Sequence, residues 1–365
     1  MGESFGLVLL DGRVRVDCER AETAAWLREM LMPAFAQVDA SDQDVTVDVG
    51  ASASDPAGPT TDVGLVPCFA LDREIVHLPG RRSAIATVLD DAFFAAQYTV
   101  STRRVDVRPA GRPRLLGASF RVTREVGVIE AARAERTQLH ASGVIDRGGV
   151  VLFAGPKESG KTTLVVHVAS ATGAGIVAND RVIVAREESG WIAHGVPTIV
   201  SVRQPTIALL PRVRWPVRGV EQPVMYTRAQ LPQVRPAHDV SSSPLTLSLA
   251  QLADAAGAPL ESGGPVACIA LVGRDDSMES FVVRRLPSDE AERRLRADRF
   301  GVGTEPRPAT VFEHSLGHVD PPTIRPEVVE RVAREVPCVE LRIGSTFVSD
   351  GHAARALLDE LLGQR

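Results

Sequence analysis

The residues with the clearest chemistry are Gly155-Pro156-Lys157-Glu158-Ser159-Gly160-Lys161-Thr162. The pattern Gly-x-x-x-x-Gly-Lys-Thr is suited to binding phosphate. Its glycines permit a tight loop whose backbone N–H groups converge on anionic oxygens, and the helix that follows adds the positive end of its dipole. The lysine reaches the β- and γ-phosphates, and the next hydroxyl ligates Mg²⁺. The expected nucleotide-binding set is therefore these residues together with Thr163 in the first helical turn; Lys161 neutralises phosphate charge and Thr162 holds the metal. At this composition the pattern should arise by chance only roughly 0.002 times in the chain. Lysine usage sharpens the reading. Of the 41 basic residues only Lys157 and Lys161 are lysines, so everywhere else the chain meets its need for positive charge with arginine.

Downstream, the nearest acid is Asp180, in Ile176-Val177-Ala178-Asn179-Asp180-Arg181-Val182. Its distance from Lys161 leaves room for a helix and a return to the sheet, which would bring Asp180 near the metal and the γ-phosphate. Arg181 could pair with phosphate or with Asp180. Arg203, Arg228 and Arg235 are further candidate clamps. Ser142, Ser159 and Thr163 are hydroxyls of the same region that nothing singles out for modification. His238, His314 and His318 have no metal-ligand spacing, and His140, taken alone, reads as a core histidine.

These residues need a scaffold. Apolar runs at 140–145 and 150–153, split by Asp146-Arg147-Gly148-Gly149, predict a hairpin whose second strand ends on the loop. A helix is expected over 162–170, with strands over 175–177, 181–184, 196–202, 266–272, 281–283 and 339–343 and helices over 289–298 and 353–362. Before them, 5–10 and 14–16 predict a hairpin around Asp11-Gly12, 21–35 a helix, 45–49 a strand, 51–61 a loop and 83–96 a second helix. Pro109 and Pro113 suggest a boundary, with a helix over 119–133 leading into the second domain. The proline-rich stretch 204–244 fits either a substrate-facing lid or an irregular connection. The expected architecture is thus α/β, with a smaller α+β N-terminal domain over 1–115 and a phosphate-loop mixed-sheet domain over 116–365.

Composition narrows the function classes. The chain has 365 residues, 44% of them hydrophobic, enough for two cores, and its net charge of -5 with no basic block does not suggest a nucleic-acid partner. Cys18, Cys68, Cys268 and Cys338 are far apart and read as buried or half-buried thiols of a reducing compartment. No apolar run is long enough for a membrane span, and the N-terminus does not read as a signal peptide. A cytoplasmic location is expected.

Three segments together resemble a known family. Leu139-His140-Ala141-Ser142-Gly143-Val144, the stretch Gly149 to Leu164 and the stretch Gly173 to Val184 look like the catalytic domain of HPr kinase/phosphorylase and its relatives. The resemblance covers about 45 residues and implies a sheet like that of the C-terminal domain of phosphoenolpyruvate carboxykinase. It also implies ATP and Mg²⁺ as cofactors, and transfer of the γ-phosphoryl group to a hydroxyl of a small molecule, a peptide or a protein serine or threonine. On that likeness Asp180 is base or metal ligand, and His140 stabilises phosphate or orients Asp180. Lys161 acts in catalysis, and a homo-oligomer is expected. Two features depart from the family. Its Asp-Asp pair is Asn179-Asp180 here, and its downstream glutamate-bearing signature is missing near Gly195-Val196-Pro197-Thr198, so the bacterial phosphocarrier protein is not the expected substrate. The alternatives are a nucleotide-binding regulatory protein with impaired catalysis, and a carboxykinase-like enzyme, which would require further acidic metal ligands.

Overall fold

The structure, a computed structural model, describes residues 2–50, 64–68, 73–77, 84–90, 94–101, 104–109, 112–131, 135–156, 158–216, 245–297 and 325–363. It divides into two compact units, one built on Met1–Ala132 and one on Arg133–Val220, Ser241–Val302 and Thr323–Arg365. The chain is of the α/β class.

The first unit opens with β1 (Glu3–Leu9), β2 (Gly12–Cys18), α1 (Ala21–Leu31), β3 (Ala36–Val38) and β4 (Val45–Val49). It continues through β5 (Gly64–Cys68), β6 (Arg73–His77), β7 (Ala84–Asp90), β8 (Phe94–Ser101), β9 (Arg104–Pro109) and α2 (Arg112–Glu130). Among the described residues its nine strands form one sheet in the order β3-β1-β2-β4-β9-β8-β7-β6-β5. Alternation decides which face is covered: Leu7, Leu9, Val14, Val16, Val45, Val47, Val49, Val105 and Val107 are all buried, with Arg15, Thr46 and Asp48 between the valines of β2 and β4. Helix α1 stops at Met32-Pro33, because proline cannot continue the hydrogen-bond ladder.

Two expectations are corrected here. The stretch 83–96 is not a helix but the antiparallel pair β7 and β8, with Ala86 opposite Tyr98 and Val88 opposite Ala96. Its alanines fit either period, and the β-branched Ile85, Thr87 and Val88 favour the strand. Helix α2 starts at Arg112 rather than 119 and lies within the unit built on Met1–Ala132. Gly12 explains the fit: a Cβ there would lie 2.3 Å from the Ala131 backbone nitrogen, so only glycine lets the hairpin approach the end of α2.

The second unit begins with β10 (Arg136–Leu139), β11 (Ala141–Asp146), β12 (Gly149–Ala154) and α3 (Lys161–Thr172). Then come β13 (Gly175–Ala178), β14 (Val182–Glu187), β15 (Gly190–Gly195), β16 (Val200–Val202) and α4 (Gln204–Leu209). The remainder is β17 (Leu245–Leu247), α5 (Leu249–Ala256), β18 (Gly263–Arg274), β19 (Phe281–Arg285), α6 (Ser288–Ala297), α7 (Pro326–Glu335), β20 (Cys338–Ile343) and α8 (Gly351–Leu362). The run expected over 196–202 is a strand only at its end, as β16. Helices α5 and α7, and strand β15, add to what the sequence suggested.

Strand order is β10-β14-β15-β18-β12-β11-β13, with β20 on the other side of β18 and β19 beyond it. Every residue of β12 is buried. Its side chains split by parity. Val151 and Phe153 join a core with Leu164, Val165 and Val168 of α3 and Leu357, Leu358 and Leu361 of α8. Val150, Leu152 and Ala154 join a second core with Leu295 of α6 and Val328, Val329 and Val332 of α7. Helices therefore cover both faces of β12, as its unbroken apolar run requires. The β11–β12 hairpin turns on Arg147 and Gly148, at φ 48° and 73°. These left-handed values match the strand twist.

Candidate functional site

One edge of this sheet collects the chemistry. Strand β12 ends at Ala154 and runs into the loop, and β18 lies parallel to it, ending beside it at Arg274. On its other side β11 is antiparallel, with Ala141 opposite Ala154, so His140 stands at the same edge. Strand β13 is antiparallel to β11, with Ala178 opposite Gly143, which brings Asn179 and Asp180 to that edge too. Loop, His140, Ser142, Asn179 and Asp180 are therefore assembled by strand order from three separated stretches of sequence. Such an edge, beyond the carboxyl ends of parallel strands, is where open α/β sheets bind ligands.

The loop backbone departs from ordinary geometry at Gly155 (φ 148°), Glu158 (φ 73°) and Gly160 (φ 93°). A Cβ at Gly155 would lie 2.9 Å from the Val272 carbonyl oxygen, so glycine is required by both contact and conformation. Gly160 is the N-cap of α3 and provides no side-chain cap. By contrast, Ser248 caps α5 and Asp350 caps α8. The first turn of α3 thus offers backbone N–H groups of the kind that bind phosphate. Ser159 Oγ is buried without a hydrogen-bond partner among the described residues. A buried hydroxyl in that state marks a place where a polar ligand would be welcome. Lys161 is 7% exposed, and its ammonium donates to the carbonyl oxygens of Gly155 at 2.6 Å and Pro156 at 2.9 Å. A charge buried this deeply must have partners, and here the loop's own carbonyls supply them. Lys157 lies outside the described residues.

Asp180 takes a left-handed backbone (φ 84°), unusual for a residue with a side chain. It is held on two sides. Its N–H donates to Ser142 Oγ at 3.2 Å, and its Oδ1 lies 2.8 Å from His140 Nε2. Burial raises the carboxyl pKa; the His140 hydrogen bond and the charges of His140, Arg181 and Lys161 lower it by more, so the net shift is downward. The carboxylate is therefore ionised at neutral pH. Beside it, Asn179 Oδ1 accepts from Thr162 Oγ1 at 2.9 Å, and Ser142 Oγ approaches the same oxygen at 3.5 Å. The Asn179 carbonyl oxygen accepts from the buried Thr198 hydroxyl at 2.5 Å.

A hydroxyl (Thr162), an amide oxygen (Asn179) and a carboxylate (Asp180) make an all-oxygen donor set. That suits a hard ion such as Mg²⁺, which is usually held by one or two carboxylates plus substrate phosphates. Among the described residues no group of three or more His, Cys, Asp or Glu side chains forms a separate metal cluster.

Arg181 donates to Gln138 Oε1 at 3.1 Å. Arg203 reaches back to the loop, with Nη1 2.8 Å from Glu158 Oε1. Arg228, Arg235, His238, His314 and His318 lie outside the described residues, as does most of the proline-rich stretch. Thr163 Oγ1 is 3.0 Å from Thr206 Oγ1, tying the first turn of α3 to that of α4. Thr198, Gln138 and Glu158–Arg203 are contacts that sequence spacing did not reveal. Cys18, Cys268 and Cys338 are buried free thiols, and burial pushes Cys18 up to about 12. No helix among the described residues is long and apolar enough to cross a membrane. No protein-family model and no curated protein matches the chain.

Proposed function

We propose that the chain is an ATP- and Mg²⁺-dependent kinase of the HPr kinase-like type, transferring the γ-phosphoryl group to a hydroxyl of a small molecule, a peptide or a protein. One observation carries this reading: an ionised carboxylate, Asp180, stands hydrogen-bonded to His140 beside a phosphate-type loop on the same sheet edge. A loop alone argues for binding. A positioned proton acceptor beside it argues for transfer to an acceptor hydroxyl.

Phosphoryl transfer requires positioning and charge neutralisation more than covalent chemistry. The backbone N–H groups of the loop's non-proline residues, ending at Lys161 and Thr162 in the first turn of α3, hold the phosphates. Lys161 exchanges the Gly155 and Pro156 carbonyls for phosphate oxygens, a stronger, charge-assisted pairing. Thr162, Asp180 and Asn179 are the residues that would hold Mg²⁺, which supplies charge neutralisation when bound. Asp180 takes the proton from the acceptor hydroxyl as its oxygen attacks the γ-phosphorus and the bond to the β-phosphate oxygen breaks. His140 keeps the carboxylate aimed.

The test is to incubate the protein with ATP, Mg²⁺ and a panel of hydroxyl compounds, and to search by mass spectrometry for phosphorylated product. Lys161→Ala should weaken ATP binding about 100-fold, which is about 2.7 kcal/mol. Lys161→Arg should be nearly as weak, because a planar guanidinium does not replace the ammonium between the two carbonyls. Asp180→Asn should bind ATP but lose about 10²–10⁴ in turnover. Undiminished ATP binding by Lys161→Ala would remove the basis for the loop; undiminished turnover by Asp180→Asn would remove the base.

One observation favours a second reading. With asparagine at 179, Asp180 is the one carboxylate of the pair that follows β13, and a nucleotide-binding regulator with no transfer activity would need no more. Tight ATP binding without product from any acceptor would favour it.

A further inference from the structure

The phosphate loop carries an acid of its own. Glu158 sits inside the glycine frame, in a left-handed conformation (φ 73°) that a side chain makes costly. A carboxylate at the mouth of an anion-binding loop repels the ligand. Its charge is met by Arg203, with Nη1 2.8 Å from Glu158 Oε1. The pair is open to water, 59% and 61% exposed, so it contributes little to stability and costs little to break.

The backbone of Arg203, by contrast, is fixed. Val202, just before it, pairs with Leu245 in the β16–β17 ladder. The Arg203 carbonyl oxygen accepts from the Thr206 and Ile207 N–H groups at 2.9 and 3.2 Å, starting α4. Thr206 in turn meets Thr163 in the first turn of α3. The segment is thus anchored to the phosphate-binding helix, and the arginine side chain is what can swing.

We propose that Arg203 is a phosphate-contacting residue: in the empty loop it rests on Glu158, and on nucleotide binding its guanidinium transfers to the polyphosphate. Glu158 acts as a placeholder that keeps the guanidinium at the loop mouth. The proposal rests on the nucleotide-binding reading of the loop. A guanidinium fork suits phosphate oxygens, and three or four phosphate charges outbid one carboxylate.

The two roles of the ion pair predict opposite behaviour. If Arg203 and Glu158 merely brace the loop, removing either breaks the same bond and both substitutions change ligand affinity in the same direction. If Arg203 transfers to phosphate, they act oppositely. The test measures binding of ATP and of inorganic tripolyphosphate to the full chain by calorimetry. Arg203→Ala should weaken both ligands about tenfold, and Arg203→Lys should recover part of the loss. Glu158→Gln should tighten both about threefold, because the competitor and the repulsion are removed. Weakening by Glu158→Gln, or no change with Arg203→Ala, would overturn the proposal. A loss for ATP without one for tripolyphosphate would also overturn it, by assigning Arg203 to the nucleoside. Lys161→Ala is the control: if it leaves both ligands bound, the loop reading itself fails rather than the role of Arg203.

Discussion

Thr162 Oγ1 donates to Asn179 Oδ1 at 2.9 Å, joining the hydroxyl of the phosphate loop to the residue that follows β13. The Ser142 hydroxyl approaches the same oxygen at 3.5 Å. An aspartate would accept the same bonds through an equivalent oxygen. The change from the acid pair of the resembled family is therefore one of charge rather than of shape. Asn179→Asp should preserve the fold and strengthen Mg²⁺-dependent ATP binding about tenfold, roughly 1.4 kcal/mol, in a magnesium titration at fixed ATP. Asn179 is 6% exposed, so the added carboxylate also carries a desolvation cost, which a bound Mg²⁺ would offset. Asn179→Ala should lose about 1 kcal/mol of stability by removing the acceptor of the half-buried Thr162 hydroxyl and of the buried Ser142 hydroxyl. Weaker magnesium dependence in Asn179→Asp would show that the site is not a metal site.

The His140–Asp180 pair makes a prediction about pH. Burial raises the Asp180 carboxyl pKa, but the His140 hydrogen bond and the neighbouring charges lower it by more. A carboxyl depressed on folding stabilises the folded protein above its unfolded value, about 3.9, and that stabilisation is lost as pH falls through the lower folded value. Turnover that depends on ionised Asp180 should therefore show no carboxylate inflection between about pH 5 and 8. His140→Ala removes the largest of the lowering influences, so the acid limb of kcat/KM should move upward in pH. The same substitution should leave ATP binding near the wild-type value. An unmoved acid limb would show that His140 does not act through Asp180.

How far the site was legible depends on where each contact is made. The phosphate loop is local: its glycines, lysine and threonine lie within eight positions, and the conformation they adopt depends mainly on those residues. The hairpin before it was legible for the same reason, since Arg147 and Gly148 sit between two apolar runs. Asp180 comes to the same sheet edge as the loop because the length of α3 and the return strand is set by spacing. What spacing could not show is who holds Asp180. His140 and Ser142 reach it only because β11 lies between β12 and β13, an order fixed by packing on both faces. Thr198 reaches the Asn179 carbonyl by the same kind of long-range placement. In the first unit, 83–96 misled because Ala84, Ala86, Ala92, Ala95 and Ala96 favour a helix. The β-branched Ile85, Thr87 and Val88 and the partners in the sheet outweighed them.

The close approach at Gly195 gives a prediction that separates support of the site from its chemistry. A Cβ on Gly195 would lie 2.0 Å from the Val177 carbonyl oxygen, a backbone atom that cannot rotate away. Val177 is in β13, two residues before Asn179, so the clash pushes on the strand that delivers Asn179 and Asp180. Gly195 is also tied by its own N–H to the Ser262 carbonyl oxygen at 2.9 Å, which limits retreat. Gly195→Ala should therefore cost roughly 2–4 kcal/mol, read as a lower urea midpoint, with turnover falling in the fraction that stays folded. Gly273, in β18 on the other side of the loop, is the matched control. A Cβ there meets no atom within 4 Å, so Gly273→Ala should change stability by less than about 0.5 kcal/mol. If both substitutions prove equally mild, β15 is able to draw back from β13, and the glycine at 195 is not what sets the position of Asn179 and Asp180.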